Sequence, residues 1–286
     1  MTYDLIIIGG GPAGTAAAVY AARKRLSTLF ITFEWGGQSI VSETIYNWIG
    51  TPSLTGNELA ENFKKHVLAN ANSKENPDST LFVKEGEKVT NVIKKGDTFE
   101  VETESKEKFK GKTILIASGS GRRKLEAKGA DRLEHKGLTY CASCDGPLFA
   151  GMDVVVAGGG NAGFESAAQL LAYCKSVTLI HRSDTFRADE ITVEKVLKNP
   201  KMKAIKNAQI LEILGDKFVE GLTYKDQDGK EVTLKVSGIF VEIGQIPNTS
   251  FAKNVVTLDD YGRVKIDPTT QKTTTEGIWA AGDCTD

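Results

Sequence analysis

Two stretches of the chain carry the same hydrophobic signature. Tyr3-Asp4-Leu5-Ile6-Ile7-Ile8 is a short, β-branched and nearly unbroken apolar run. That is the pattern of a parallel strand buried on both faces, not the alternation of a half-exposed one. It leads into Gly9-Gly10-Gly11-Pro12-Ala13-Gly14, an Ala-rich helical pattern over 16–25 and a second strand over 28–33. Much later Asp153-Val154-Val155-Val156-Ala157 runs into Gly158-Gly159-Gly160-Asn161-Ala162-Gly163, a helix over 164–174 and a strand over 176–180. Between and after the copies, residues 59–68 read as an amphipathic helix and 70–80 as a polar connection. Residues 88–93 and 98–103 alternate around a Lys95-Gly96-Asp97 turn, as an antiparallel hairpin or meander laid against the parallel sheet would. A buried strand is expected over 112–117, a second small meander over 206–236, and closing strands over 239–243 and 277–281.

Composition narrows the classes. The 286 residues are enough for about two domains, each with a core. A net charge of −1 speaks against nucleic-acid or membrane-surface binding through bulk electrostatics. The apolar runs at 5–8 and 154–157 are far below the roughly 20 residues that cross a bilayer. The sequence enters a strand without the basic and apolar regions of a secretory leader, so a cytoplasmic location is expected.

The glycine turns suggest the first chemistry. A strand, a G-x-G-x-x-G turn, a helix, a second strand and an acid, Glu34, twenty residues past Gly14, compose a dinucleotide fingerprint. Glycines permit the tight turn and close backbone approach, the helix N-terminus faces a pyrophosphate, and the carboxylate meets ribose hydroxyls. The second copy ends instead in His181-Arg182-Ser183-Asp184, with Arg187 beyond. An acid there would repel a 2′-phosphate and an arginine accommodates one, which favours NADPH. The alternative is a solvated charge run at a strand end, and Asp184 counts toward it. Past Glu34, Gly36-Gly37-Gln38 and Asn47-Trp48-Ile49-Gly50 read on their own as a polar loop with one buried tryptophan.

Cys141-Ala142-Ser143-Cys144-Asp145-Gly146 suggests the second chemistry. Its spacing closes a small disulfide ring and shifts thiol pKa values toward exchange. The same four residues are also half of a zinc site, but that needs a second Cys/His pair at ligand spacing. Cys174 and Cys284 are solitary, and His66, His135 and His181 are scattered, so no metal is expected. The solitary thiols read as packing residues.

Together these motifs resemble the low-molecular-weight, bacterial-type thioredoxin reductases, FAD-dependent pyridine nucleotide-disulfide oxidoreductases, along nearly the whole chain. The carrying residues are Gly9 to Gly14, Glu34 with Gly36-Gly37-Gln38, Asn47-Trp48-Ile49-Gly50, Ala117-Ser118-Gly119, Cys141 to Gly146, Gly158 to Gly163, His181-Arg182 with Arg187, Pro247-Asn248-Thr249 and Ala281-Gly282-Asp283. Other flavin disulfide reductases carry their cysteine pair near the N-terminus, whereas here it opens the second nucleotide domain.

The resemblance implies an α/β fold of two Rossmann-like three-layer domains, the NADPH domain (114–243) inserted into the FAD domain (1–113 and 244–286), with hinges near 113 and 244. FAD contacts are expected at Gly9, Gly11, Pro12, Ala13, Gly14, Glu34, Gly37, Gln38, Asn47, Ala117, Gly119, Gly282 and Asp283. NADPH contacts are expected at Gly158, Gly160, Asn161, Ala162, Gly163, His181, Arg182 and Arg187. Electrons would pass from NADPH through FAD to the Cys141/Cys144 disulfide and on to thioredoxin. By the family pattern Cys144 is the flavin-proximal thiol, Cys141 the interchange thiol and Asp145 the acid/base, in a homodimer. Three departures qualify this. Ser183 replaces the second of two arginines, so NADPH is expected to be preferred less strictly, and Ser143 stands where threonine is common. The sequence ends at Asp286, short of a last helix whose N-terminus approaches the flavin, and weaker flavin retention is expected. Gly146-Pro147-Leu148-Phe149 and Gly163-Phe164-Glu165 resemble the reductase module that serves peroxiredoxins. A glutaredoxin-like or peroxiredoxin-linked carrier is therefore an alternative acceptor, separate because no thioredoxin-like domain precedes residue 1. A truncated, non-catalytic nucleotide-binding module is the other alternative, and the retained Cys141, Cys144 and Asp145 argue against it.

Overall fold

A computed structural model describes residues 1–286 except Glu43, Tyr46 and Asn47. The chain divides into two compact units, 1–121 with 245–286 and 122–244. The first boundary, expected at 113, falls later because the strand there runs on to Ile116.

In the first unit β1 (Thr2–Gly10) leads into α1 (Pro12–Arg23), which begins four residues before the expected start because the glycine turn itself supplies the N-cap, Gly11, with proline following it. After β2 (Thr28–Trp35) comes α2 (Gly56–Ala69). Thr55 and Glu58 close a reciprocal capping box on α2, worth about 1 kcal/mol. Then follow β3 (Leu81–Glu85), β4 (Val89–Lys95), β5 (Thr98–Thr103) and β6 (Lys108–Ile116). Strands β3, β2, β1 and β6 pair in that order, all parallel. The meander adds β5 and β4 antiparallel on the far side of β6, so it extends the sheet through hydrogen bonds. Only the first half of β6, Lys108–Gly111, pairs with β5.

A short strand, β7 (Ser120–Arg122), leads into the second unit. There α3 (Ala130–Leu133), β8 (Leu138–Thr139) and α4 (Ala142–Asp145) precede β9 (Asp153–Ala157) and α5 (Asn161–Leu170). Next come β10 (Ser176–Ile180), α6 (Glu190–Leu197), β11 (Met202–Ile205), β12 (Gln209–Leu214), β13 (Gly221–Lys225), β14 (Glu231–Leu234) and β15 (Gly238–Val241). The five-stranded sheet runs β11-β10-β9-β15-β8, all parallel, and β12-β13-β14 form a separate antiparallel sheet. Val154 and Val156 face α5 and α6 with Phe164, Ala167, Leu170 and Val196. Val155 and Ala157 face Ile210, Ile213, Leu222 and Tyr224 of the small sheet. A period of two thus commits alternate residues of β9 to opposite layers, and both layers are dry, which is why the run is apolar throughout.

The chain re-enters the first unit through β16 (Gln245–Pro247), which pairs with β7, and ends with β17 (Ile278–Ala280). Strand β17 pairs parallel with Ile114–Ile116, the half of β6 that β5 leaves free. The first unit has the same three layers. Ile7 and Phe30 pack under the helices with Ala18, Ala21 and Val67, and Ile6, Ile8, Leu29 and Ile31 pack under the meander with Val92, Phe99 and Val101. The chain is an α/β protein with two parallel sheets. Trp48, expected to be buried, is 39% exposed and lies edge-on against Phe63 at 5.5 Å. No helix among the described residues is long and apolar enough to cross a membrane.

Candidate functional site

The two glycine turns superimpose in their logic, contact for contact. A Cβ on Gly9 would overlap the Ala117 carbonyl and one on Gly158 the Glu242 carbonyl, where the neighbouring parallel strand ends. On Gly14 it would strike the Gly9 oxygen, and on Gly163 the Gly158 oxygen, so the helix could not seat on its own strand. Gly10 and Gly159 are crowded by the next strand's end, by Thr32 and the Glu34 carbonyl in one case and by the His181 and Phe186 rings in the other. Backbone bonds repeat as well: Gly36 N–H donates to Gly10 O at 2.9 Å, and Arg187 N–H to Gly159 O at 2.8 Å.

Gly11 and Gly160 differ from the rest. Their φ angles, −78° and −95°, suit any residue, and a Cβ on either would meet nothing within 4 Å. Neither conformation nor packing calls for glycine, so the space in front of each helix is kept clear for something outside the chain. The first turns of α1 and α5 carry no acidic residue, and neither N-cap makes a side-chain cap. Free N–H groups with no competing carboxylate suit a pyrophosphate. Ser118 Oγ, buried and without a hydrogen-bond partner, is a further polar atom awaiting one beside the first turn. The residues present fit a dinucleotide at each turn.

Around the first turn the structure gathers residues remote in sequence. Gly37 lies 3.4 Å, by its absent Cβ, from Gly11 Cα, and Gly282, at φ +85°, sits equally close to Ala13. Ala281 N–H donates to Ile116 O at 3.0 Å and Ala117 N–H to Ile8 O at 2.8 Å, so both loops leave the carboxyl edge of the sheet together. Asn248 reaches the same loop, its N–H on Gly119 O at 3.0 Å and its Nδ2 on Ser118 O at 3.2 Å. Glu34 and Asp283 are exposed. Gly9, Gly11, Pro12, Ala13, Gly14, Glu34, Gly37, Gln38, Ala117, Gly119, Gly282 and Asp283 thus lie at or next to one sheet edge, where open α/β sheets take their ligands. Asn47 lies outside the described residues.

At the second turn two expected ligand side chains are otherwise engaged. Asn161 Oδ1 accepts the Asp189 N–H at 2.8 Å, which holds the start of α6. His181 is 8% exposed, its Nε2 lies 2.9 Å from Thr185 O, and its ring packs against Phe186. It shapes the 181–187 loop from within; the two expected arginines, Arg182 and Arg187, are exposed, as are Asp184 and Thr185. Two further groups here went unnoticed in the sequence. Glu242 is half-buried, accepts a 2.7 Å bond from Ser166 Oγ, and partial burial raises its pKa. Lys206 rests its ammonium 4.5 Å from the Phe186 ring centroid.

Cys141 and Cys144 form a disulfide with Cα atoms 5.3 Å apart. Cys141 caps α4, and its Sγ accepts the Cys144 N–H at 3.2 Å. An N–H aimed at that sulfur stabilises it as a thiolate after reduction. Asp145 ends α4, and its Oδ2 accepts a hydrogen bond from the Thr139 hydroxyl on β8. Tyr140 anchors the approach to the pair: its hydroxyl donates to Glu134 at 3.0 Å, and burial first, then Glu134, raises its pKa. Among the described residues no three His, Cys, Asp or Glu side chains come together as metal ligands.

The two solitary cysteines are wholly buried, and burial pushes both thiols up. In reduced native protein we expect two thiols to react rapidly with a disulfide reagent and two more to react only after denaturation. Four rapid equivalents without denaturant would contradict the packing.

A family model for pyridine nucleotide-disulphide oxidoreductases matches residues 3–286. The chain is 37% identical over 285 residues to the F polypeptide of the alkyl hydroperoxide reductase of Staphylococcus epidermidis, covering 99% of this chain and 54% of that protein. It is 36% identical, with the same coverage, to an NADH dehydrogenase of Bacillus subtilis. The chain spans about half the length of the curated relatives it matches. Among solved structures, the thioredoxin reductase of Streptococcus pyogenes superposes with a TM-score of 0.85 at 31% identity, over 100% of this chain and 90% of that one. With two glycine turns of one design and a disulfide-bonded cysteine pair in the same unit as the second, the chain belongs to the pyridine nucleotide-disulphide oxidoreductase family.

Proposed function

We propose that the chain is a flavin-dependent dithiol–disulfide reductase that draws electrons from NADPH by way of FAD into the Cys141/Cys144 disulfide and passes them to thioredoxin or a similar small redox protein. The observation that carries this reading is the Cys141–Cys144 bond within the second unit, whose sheet ends in its own glycine turn. The first unit is the FAD-binding one, through Gly9–Gly14, Glu34, Gly37-Gln38, Ala117–Gly119 and Gly282-Asp283. The second takes NADPH through Gly158–Gly163, Arg182 and Arg187. When bound, the nicotinamide and flavin supply the hydride and electron-pair chemistry that amino-acid side chains lack.

The rest falls to the chain. Once the pair is reduced, the Cys141 thiolate attacks one sulfur of the partner's disulfide and expels the other as a thiolate. Cys144 then attacks Cys141 Sγ in the mixed disulfide, which re-forms the ring and releases the second partner thiol. Asp145, held by Thr139, exchanges the proton that accompanies Cys144.

The 37% identity to an alkyl hydroperoxide reductase polypeptide supports a second reading, in which the acceptor is a peroxiredoxin-linked or glutaredoxin-like carrier. Nicotinamide oxidation coupled to purified acceptors of each kind separates the two. In the same assay kcat/KM should favour NADPH, and equal or better use of NADH would overturn the choice of nucleotide. If anaerobic NADPH with saturating FAD leaves Cys141 and Cys144 oxidised, the electron route itself is wrong.

A further inference from the structure

We infer that Lys206 recognises the 2′-phosphate of the nucleotide at the second glycine turn, reaching in from the neighbouring strand to supply the positive charge that Ser183 leaves out. The inference rests on the reading of the second unit as the NADPH-binding one.

Backbone pairing places this lysine. The parallel register of β10 and β11 sets Ile180 against Ile205. Past the strand ends the pairing continues: His181 N–H donates to Ile205 O at 2.8 Å, Ala208 N–H to His181 O at 3.0 Å, and Asn207 N–H to Ser183 O at 3.2 Å. Asn207 takes a left-handed φ of +52°, which turns the chain back onto the 181–183 segment. Lys206 is therefore tied beside the loop that carries Arg182 and Arg187.

Its side chain is directed there too. The ammonium stands 4.5 Å from the Phe186 ring centroid, and that ring packs against His181 at 5.6 Å and Phe164 at 4.9 Å. Phe186 and His181 in turn occupy the space a side chain on Gly159 would need. One packed column runs from the glycine turn through two rings to the lysine, so the charge has a fixed address although the residue is exposed.

The charge is also unspent. None of the ion pairs among the described residues involves Arg182, Arg187 or Lys206. The nearest acids in sequence have other engagements or none with these cations: Asp184 accepts from Thr185 Oγ1, and Asp189 caps α6 through Thr192. Cation–π contact holds an ammonium in place without neutralising it. Lys206 adds a third basic side chain beside the loop that carries Arg182 and Arg187, which suits a phosphate dianion. A phosphate meets a lysine as a point charge and does not need the planar fork of a second arginine, which is how a residue from another strand can stand in for it.

The test uses the full chain and two adenine nucleotides, 2′,5′-ADP and 5′-AMP, titrated calorimetrically, so no turnover is required. Wild type should bind 2′,5′-ADP more tightly than 5′-AMP. Lys206→Met, which keeps the apolar stem on Phe186, should cut that preference by about tenfold with 5′-AMP affinity unchanged, and Lys206→Arg should restore it. An undiminished preference in Lys206→Met, or an equal loss for both nucleotides, overturns the role of Lys206 while leaving the nucleotide assignment standing. Absence of any preference in wild type overturns the NADPH reading and this inference with it.

Discussion

Cys141→Ser should reduce turnover with a protein disulfide by about a thousandfold or more while leaving nicotinamide-dependent reduction of a small quinone in place. The expectation follows from what the sulfur position offers. Cys141 Sγ accepts the Cys144 N–H at 3.2 Å, which favours the thiolate and does nothing comparable for a serine hydroxyl, whose pKa lies far above neutrality. Serine also cannot re-form the ring, so the chain loses both its nucleophile and its electron store. The companion Cys144→Ser keeps the attacking thiolate and loses only the resolving thiol. It should trap the acceptor as a one-to-one mixed disulfide through Cys141, visible as an adduct by mass spectrometry. An adduct through Cys144 in Cys141→Ser, with none in Cys144→Ser, would reverse the two roles.

The pair was legible in the sequence, but the groups around it were not, and the reason is physical. Thr139 stands six residues before Asp145 and meets it only because α4 folds back toward β8. Lys206 and Arg182 approach through parallel strand pairing, a contact that leaves no local spacing to read. The family resemblance put His181 among the nucleotide contacts, whereas in the structure its ring closes the inside of the loop.

The same division holds for the fold. Strands β1 and β9 announce themselves as unbroken apolar runs because they are covered on both faces. Edge strand β3 has only three apolar residues before Lys84-Glu85, too short a run to register between the polar connection over 70–80 and the meander. Helix α6 escapes a reading of the sequence although Asp189 caps it, because its exposed face hides the period. The ribbon of β7 and β16 joins residues far apart in sequence, with Ser120 and Gln245 bonded at 2.9 Å, and no pattern in either segment signals the other.

Two glycines of one turn should fail in opposite ways. Gly160→Asp should leave thermal stability unchanged or slightly raised, yet weaken nucleotide binding by about a hundredfold. The backbone there already has the extended angles of an N-cap, φ −95° and ψ −176°, and the added side chain meets no atom within 4 Å. An aspartate in that position caps the free N–H groups of α5 and lies along the favourable end of its dipole. It thereby occupies the place where a pyrophosphate would sit and opposes its charge. Gly163→Ala is the converse: its Cβ would overlap the Gly158 carbonyl oxygen, so α5 must lift from β9, with a cost of about 1–3 kcal/mol. Its loss of binding should follow its loss of stability, whereas for Gly160→Asp the two should separate. Thermal melts with and without nucleotide decide the matter. A Gly160→Asp protein that still gains the wild-type nucleotide-induced shift in Tm would mean that the space before α5 is not where the phosphates go.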